Sequence, residues 1–177
     1  MSLALIQELA LAPDAAIVDI GGGASSLAEQ LLGSGFADIT VLDVSARALE
    51  LARADLGADA TRVRWLEQDL LSWSPERRYD LWHDRAVFHF LVDPADQRRY
   101  AELLNSALRP AGKAIIGTFA ADGPTTCSGL PVARYDDDGL AAAFGTAFTT
   151  LATRRELHHT PANSIQAFTW VTLERVP

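Results

Sequence analysis

Short, nearly continuous apolar runs alternate along this chain with longer segments whose apolar residues recur every three to four positions. That alternation is the pattern of βαβ units wound around a mostly parallel sheet. The run Ala15-Ala16-Ile17-Val18-Asp19-Ile20 predicts a first strand covered on both faces, because a face left in water would show as strict alternation. A helix is expected before it, from Ser2 to about Leu11 and closed by Pro13. Another is expected after it, from about Ala24 to Leu32 and closed by Gly33-Ser34-Gly35. Ile39 to Asp43 reads as the second strand. Ser45 then caps a helix that carries Ala48, Leu49, Ala52 and Leu56 on one stripe, with Gly57 as its stop.

Val63 to Leu66 and Tyr79 to His83 read as the third and fourth strands. Asp93 with Pro94 opens a helix whose Tyr100, Leu103, Leu104, Ala107 and Leu108 fall on one face. Arg109 to Gly112 reads as a turn and Lys113 to Phe119 as the fifth strand. From Ala121 to Tyr135 the pattern stops: two prolines and two glycines fall within fifteen residues, which predicts a functional loop. Asp136-Asp137-Asp138 starts a short helix to Phe144. Phe148 to Leu157 and Ile165 to Val176 are β-rich segments with only the turn around Pro161-Ala162-Asn163 between them, so they are expected to pair antiparallel.

A length of 177 residues suits one domain over the whole chain, and it is enough to bury a self-sufficient core. No stretch approaches the roughly 20 uninterrupted apolar residues of a membrane span, and Glu8 interrupts the start of the chain. These features predict a cytoplasmic protein without a membrane partner. Cys127 is the only cysteine, which excludes an intrachain disulfide and a thiolate zinc site of the usual kind. The net charge of -8 repels phosphate backbones, so a small-molecule partner is expected and a nucleic acid is not. The oligomeric state has no signature in the sequence.

The strongest chemical signal is Asp19-Ile20-Gly21-Gly22-Gly23-Ala24-Ser25, placed between a strand and a helix. Glycines there let a ligand approach the main chain more closely than any side-chain-bearing residue permits. A dinucleotide enzyme wants G-x-G-x-x-G, but this chain has Ser26 at the sixth position and an aspartate two residues ahead of the first glycine. That carboxylate repels a phosphate. It suits the ammonium end of a methionine moiety, and a nucleoside without phosphates needs close approach more than anion-binding amides. S-adenosylmethionine meets both conditions, and an NAD(P)-dependent oxidoreductase is the main alternative. Asp43 closes the second strand 20 residues after Gly23, where a carboxylate accepts from ribose hydroxyls in either cofactor class. Asp69 follows the third strand, where an exocyclic adenine amino group would lie.

Together IVDIGGGASSL, VLDVS, LEQDLL and YDLWHDR, in that order and spacing, resemble the successive motifs of class I S-adenosylmethionine-dependent methyltransferases. The resemblance covers about Asp14 to Phe119. It implies an α/β, Rossmann-like three-layer sandwich. The implied sheet has seven mostly parallel strands in the order 3-2-1-4-5-7-6, with the last strand antiparallel. It also implies methyl transfer that releases S-adenosylhomocysteine. By that resemblance Asp19, Gly21 and Gly23 belong to the methionine-side loop, Asp43 to the ribose contact, and Asp69 with the Leu70 amide to the adenine contact; Gly22, Ser25 and Val44 are further expected cofactor-binding residues. Ser25 departs from the third glycine of many members. HDRAVFHFL and CSGLPVARY look most like small stand-alone bacterial enzymes near the thiopurine and tellurite group. Such relatives carry residues ahead of the first helix that help close the site, whereas this chain starts almost on that helix. Acceptors other than small molecules, namely protein or RNA, belong to the same fold, and a catalytically silent cofactor-binding module is a further alternative.

His83, Asp84 and Arg85 follow the fourth strand, at the sheet edge that faces the ligand crevice in such folds. Asp84 is expected to touch the cofactor's amino group or the acceptor, against the ordinary reading that it pairs with Arg85. His83 and His89 are the candidate general bases, each set against the role of a hydrogen-bonded structural histidine. Trp82, Phe88 and Phe90 are candidates to stack on adenine, although aromatics at this spacing usually pack in a core. Arg85, Arg134 and Tyr135 are the candidate acceptor contacts. Cys127 reads as an unreactive loop thiol. His158 and His159 are adjacent on a strand and point to opposite faces, so no metal is expected.

Overall fold

The computed structural model describes residues 1–160 and 164–177. The turn expected around Pro161-Ala162-Asn163 lies outside the described residues. Strands β1 (Ala16–Ile20), β2 (Asp38–Asp43), β3 (Val63–Glu67), β4 (Tyr79–Arg85) and β5 (Leu108–Phe119) lie parallel to one another. A short hairpin, β6 (Thr126–Cys127) with β7 (Leu130–Pro131), stands apart from the sheet. β8 (Phe148–His159) and β9 (Ile165–Arg175) complete it. The sheet order is β3-β2-β1-β4-β5-β9-β8, with β9 antiparallel to both neighbours. Without the hairpin this is the 3-2-1-4-5-7-6 order, with its antiparallel last strand.

Helices α1 (Ser2–Glu8), α2 (Leu27–Gly33) and α3 (Ala46–Leu56) cover one face, where Leu5, Ile6, Leu31 and Leu49 pack on Ile17, Leu81 and Ile115. Helices α4 (Pro94–Ala107) and α5 (Asp137–Ala142) cover the other face, where Tyr100, Leu104 and Leu140 pack on Val18, Trp82 and Ile116. All five residues of β1 are buried, as a strand between two helical layers requires. Ser45, Asp93 and Asp136 each accept a hydrogen bond from the first turn of the helix they precede.

The structure differs from the sequence pattern where backbone conformation overrides periodicity. α1 stops at Glu8, three residues early, and Ala10 lies at φ 49°. The helix expected from Ala24 divides into a 3-10 turn over Gly22–Ala24 and α2. Ser25 lies extended between them, and its hydroxyl accepts from the Leu27 amide at 3.0 Å. The turn expected at Arg109 to Gly112 is absorbed into β5 as an irregularity opposite β4, with Ala111 at φ 60°. The segment Ala121 to Tyr135 contains the β6–β7 hairpin. Its turn residues Ser128 and Gly129 both have positive φ, as a two-residue turn that matches strand twist demands.

Candidate functional site

The order of strands reverses between β1 and β4, because the crossovers from these two strands run to opposite sides of the sheet. The divergence opens a crevice at their C-terminal ends. Two cavities meet there. One, of about 490 Å³, has a polar wall that includes Asp19, Ser25, Gln30, His83, Glu156 and His158. The other, of about 480 Å³, is mostly apolar and lies between Asp43, Val44, Asp69, Leu70, Phe90 and Leu91. Ile20, Gly21 and Arg85 border both. A ligand with a zwitterionic end and an aromatic end fits such a divided crevice, and each volume lies within the range of small-molecule sites.

Gly21 turns the chain at the junction. Its φ of 68° is left-handed, and a β-carbon there would come within 2.3 Å of Val87 Cγ2. A β-carbon on Gly22 would stand 2.2 Å from Asp19 Oδ2. The glycine bend therefore keeps that carboxylate oxygen clear. Asp19 Oδ1 bonds to His83 Nδ1 at 2.7 Å, and Asp19 Oδ2 is buried with no partner among the described residues. A buried carboxylate oxygen without a donor is costly, and an ammonium group entering the polar cavity relieves that cost.

Asp43 is held by two main-chain donors. The Gly23 amide reaches Oδ2 at 3.0 Å and the Ser45 amide reaches Oδ1 at 2.8 Å. Each oxygen keeps a second lone pair for a hydroxyl. Asp69 caps the 3-10 turn Leu70–Ser72 through the Leu71 amide at 2.9 Å and stays exposed at the cavity wall. Val44, 71% exposed, adds an apolar surface to the wall of the same cavity.

The structure places Asp84 elsewhere. Successive strand residues face opposite sides, so Asp84 turns away from His83 into the α4 layer. Its carboxylate there accepts from the Val87 amide at 2.8 Å, the Phe88 amide at 3.0 Å and the Tyr100 hydroxyl at 2.6 Å. The residue is wholly buried, and burial raises its carboxyl to about 6 against the pull of those donors. It lines neither cavity, which corrects the expectation of direct contact with the cofactor's amino group. Its effect on the site runs through the segment it clamps. Ala86 sits at φ 71°, and Val87, Phe90 and Leu91 beyond it wall the apolar cavity.

His89 is also fully buried, edge-on to Phe90 and close to Phe119, and neither ring nitrogen has a partner among the described residues. Burial lowers it to about 4, and it lines neither cavity. Arg134 spends a guanidinium N–H on the Gly123 carbonyl at 3.2 Å. Tyr135 packs its ring beside Phe88, with burial pushing its phenol up. The irregular segment thus does not bring these two candidate acceptor contacts to the crevice, because its backbone is tied to Phe119, Ala120 and His89. Arg85 does reach it, lying over the Phe168 ring at 5.2 Å. Of the three aromatics weighed for adenine, Trp82 and Phe88 are core, and Phe90 lines the apolar cavity. Sequence reasoning missed Glu156 and His158 as cavity residues. They share a face of β8 at the i, i+2 spacing, but only the placement of β8 beside β9 brings that face to the crevice. Among the described residues, no cluster of three or more metal-ligating side chains occurs.

The chain belongs to the methyltransferase-domain family, whose model matches residues 17–112, more than half of the chain. It is 33% identical over 122 residues to methyltransferase tpcM of Aspergillus fumigatus, covering 69% of this chain and 33% of that protein. To malonyl-[acyl-carrier protein] O-methyltransferase 1 of Ilyobacter polytropus it is 30% identical over 104 residues, covering 58% of this chain and 37% of that protein. The chain therefore spans about a third of the length of these curated relatives. In fold it is similar to the 1,6-didemethyltoxoflavin-N1-methyltransferase of Burkholderia thailandensis, solved with 1,6-didemethyltoxoflavin and S-adenosylhomocysteine. That likeness has a TM-score of 0.79 at 21% identity and covers 99% of this chain and 76% of that one. These matches establish the family, and they leave the finer likeness to the thiopurine and tellurite group as an expectation from sequence.

An Asp43→Ala substitution is expected to weaken binding of S-adenosylmethionine by about 1–3 kcal/mol, the cost of a lost charged hydrogen-bond partner. Isothermal titration of the variant checks this, and unchanged affinity removes Asp43 from the site.

Proposed function

We propose that the crevice binds S-adenosylmethionine, with its amino-acid end in the polar cavity and its adenosine in the apolar one, and that the chain transfers the methyl group to a small molecule. One observation carries the assignment: Asp19 Oδ2, buried and without a partner among the described residues, beside a glycine bend that keeps it clear. In this reading Asp19 takes the ammonium group and Gly21 to Gly23 let the ligand lie on the main chain. Asp43 and Val44 meet the ribose, and Asp69 with Leu70 meets adenine. The bound cofactor supplies an activated methyl group. The protein's part is to hold the acceptor in line, about 3–3.5 Å from the methyl carbon, and to exclude water.

The net charge of -8 and the likeness in fold to an enzyme solved with 1,6-didemethyltoxoflavin bound support a small acceptor. Arg85, at the junction of the two cavities, is the acceptor contact we assign. Residues 1–177 are read as one domain. No helix among the described residues is long and apolar enough to cross a membrane, and the single cysteine suits the reducing cytoplasm we propose as its location.

Titration with S-adenosylmethionine, followed by an acceptor screen of thiols, small carboxylates, phenols and amines read by S-adenosylhomocysteine release, tests the reading. Binding of the cofactor with turnover of at least one acceptor is the expected result. Tight NAD(P) binding with no affinity for S-adenosylmethionine would overturn it.

A further inference from the structure

We propose that His83 is the base that takes the acceptor's proton, held for that task by Asp19, so that the site is built for amines, ring N–H groups or hydroxyls. The inference rests on the methyltransferase reading above and names the acceptor chemistry of the same crevice. Asp19 and His83 are register partners on the adjacent strands β1 and β4, and their side chains, each 3% exposed, meet at 2.7 Å. A carboxylate only accepts, so the neutral ring carries its proton on Nδ1 and leaves its lone pair on Nε2. Nε2 has no partner among the described residues, in a ring that lines the polar cavity. His89 also has unpartnered ring nitrogens but lines neither cavity, whereas His83 stands on the wall of the polar one with its Nδ1 fixed by Asp19. The Trp170 ring, 6.1 Å away between centroids, backs the imidazole.

In the step itself the acceptor's lone pair forms a bond to the methyl carbon, and the electron pair of the breaking carbon–sulfur bond stays on sulfur. The acceptor's proton passes to Nε2. The resulting imidazolium lies against the Asp19 carboxylate, and the proton leaves to water once product departs. Acceptors that arrive as thiolates need none of this. The other charged or titratable groups around the same cavity are Arg85 on β4, Glu156 and His158 on β8, and Met1 ahead of α1. Glu156 is engaged by the Trp170 indole N–H at 2.8 Å, and His158 stands 4.0 Å from Glu156. Neither repeats the close carboxylate–imidazole contact of Asp19 with His83.

His83→Asn tests the proposal, because the asparagine amide reproduces the Nδ1–H donor to Asp19 and removes Nε2. S-adenosylhomocysteine affinity by calorimetry should stay within about threefold. Turnover of amine or phenol acceptors should fall at least about 100-fold with the acid limb of the wild-type kcat–pH profile lost, while a thiol acceptor at pH 9 changes little. A loss of S-adenosylhomocysteine binding in the variant makes His83 a cofactor contact and overturns the base. Intact binding with unchanged amine and phenol turnover overturns it while leaving the methyltransferase reading in place. Failure of the wild-type chain to bind S-adenosylmethionine instead sinks that reading. Independently of turnover, long-range proton–nitrogen NMR of the full chain should show His83 protonated on Nδ1 and bare on Nε2. A ring protonated on Nε2 above pH 8 overturns the proposal even if no acceptor in the panel reacts.

Discussion

Asp19→Asn is expected to weaken S-adenosylmethionine binding by about 3–4 kcal/mol, a loss of roughly 10²–10³ in affinity, while leaving the chain folded. The size follows from burial. Asp19 is 2% exposed, so its charge is screened little by water, and an amide in its place leaves the incoming ammonium group facing a dipole where it needs a charge. The shape is conserved, and the amide oxygen still accepts from His83 Nδ1 across the 2.7 Å contact. Calorimetric titration of wild type and variant at one pH and salt concentration reads the difference. Affinities within threefold of each other would place the ammonium group somewhere other than Asp19.

The second large effect is on stability, from the buried network behind the apolar cavity. Tyr100 accepts from the Trp82 indole N–H at 2.8 Å and donates to Asp84 at 2.6 Å, all three side chains being wholly buried. Tyr100→Phe removes one hydroxyl but strands two groups, a carboxylate short of a donor and an indole N–H without an acceptor. A cost of about 2–4 kcal/mol is expected by chemical denaturation. The loosened clamp on Val87 and Phe88 should weaken cofactor binding as well. A loss below about 1 kcal/mol would mean that water replaces the hydroxyl.

Asp84 also sets a pH dependence with a definite sign. Its carboxyl is raised from 3.8 to about 6 in the folded chain, first by burial, with the Tyr100 and main-chain bonds opposing. A raised acid contributes stability that is fully present below its unfolded value and is lost as pH climbs through the folded one. Between pH 4 and pH 7 the wild type should therefore lose up to about 3 kcal/mol relative to Asp84→Asn, which does not titrate. Parallel stability curves for the two proteins across that window would show that Asp84 does not titrate as its burial requires.

How legible the site was in sequence depended on how local each element is. The glycine bend, Asp43 and Asp69 stand at strand ends whose positions the apolar pattern locates, and all three border the crevice. Asp84 and His83 are neighbours in the chain, and the sequence pattern set both at the crevice edge; the continuation of β4 to Arg85 is what puts them on opposite faces. Which face meets the crevice was not legible, because both faces of β4 are covered by helices and neither reads as polar.

The sequence by itself determined the α/β class, the strand order through its family motifs, and the bend at Gly21, since these depend on periodicity, residue type and backbone freedom over a few neighbouring positions. Only the tertiary structure decided that Asp19 engages His83, that Asp84 serves Tyr100 and the Val87 segment, that Glu156 and His158 reach the polar cavity, and that Arg134 and Tyr135 do not. Most of those facts join residues far apart in the chain, from 16 positions for Asp84 with Tyr100 to 64 for Asp19 with His83 and more than 130 for Asp19 and Glu156 on one cavity wall. Their geometry is set by strand register and by which helix covers which face, and no local pattern encodes either.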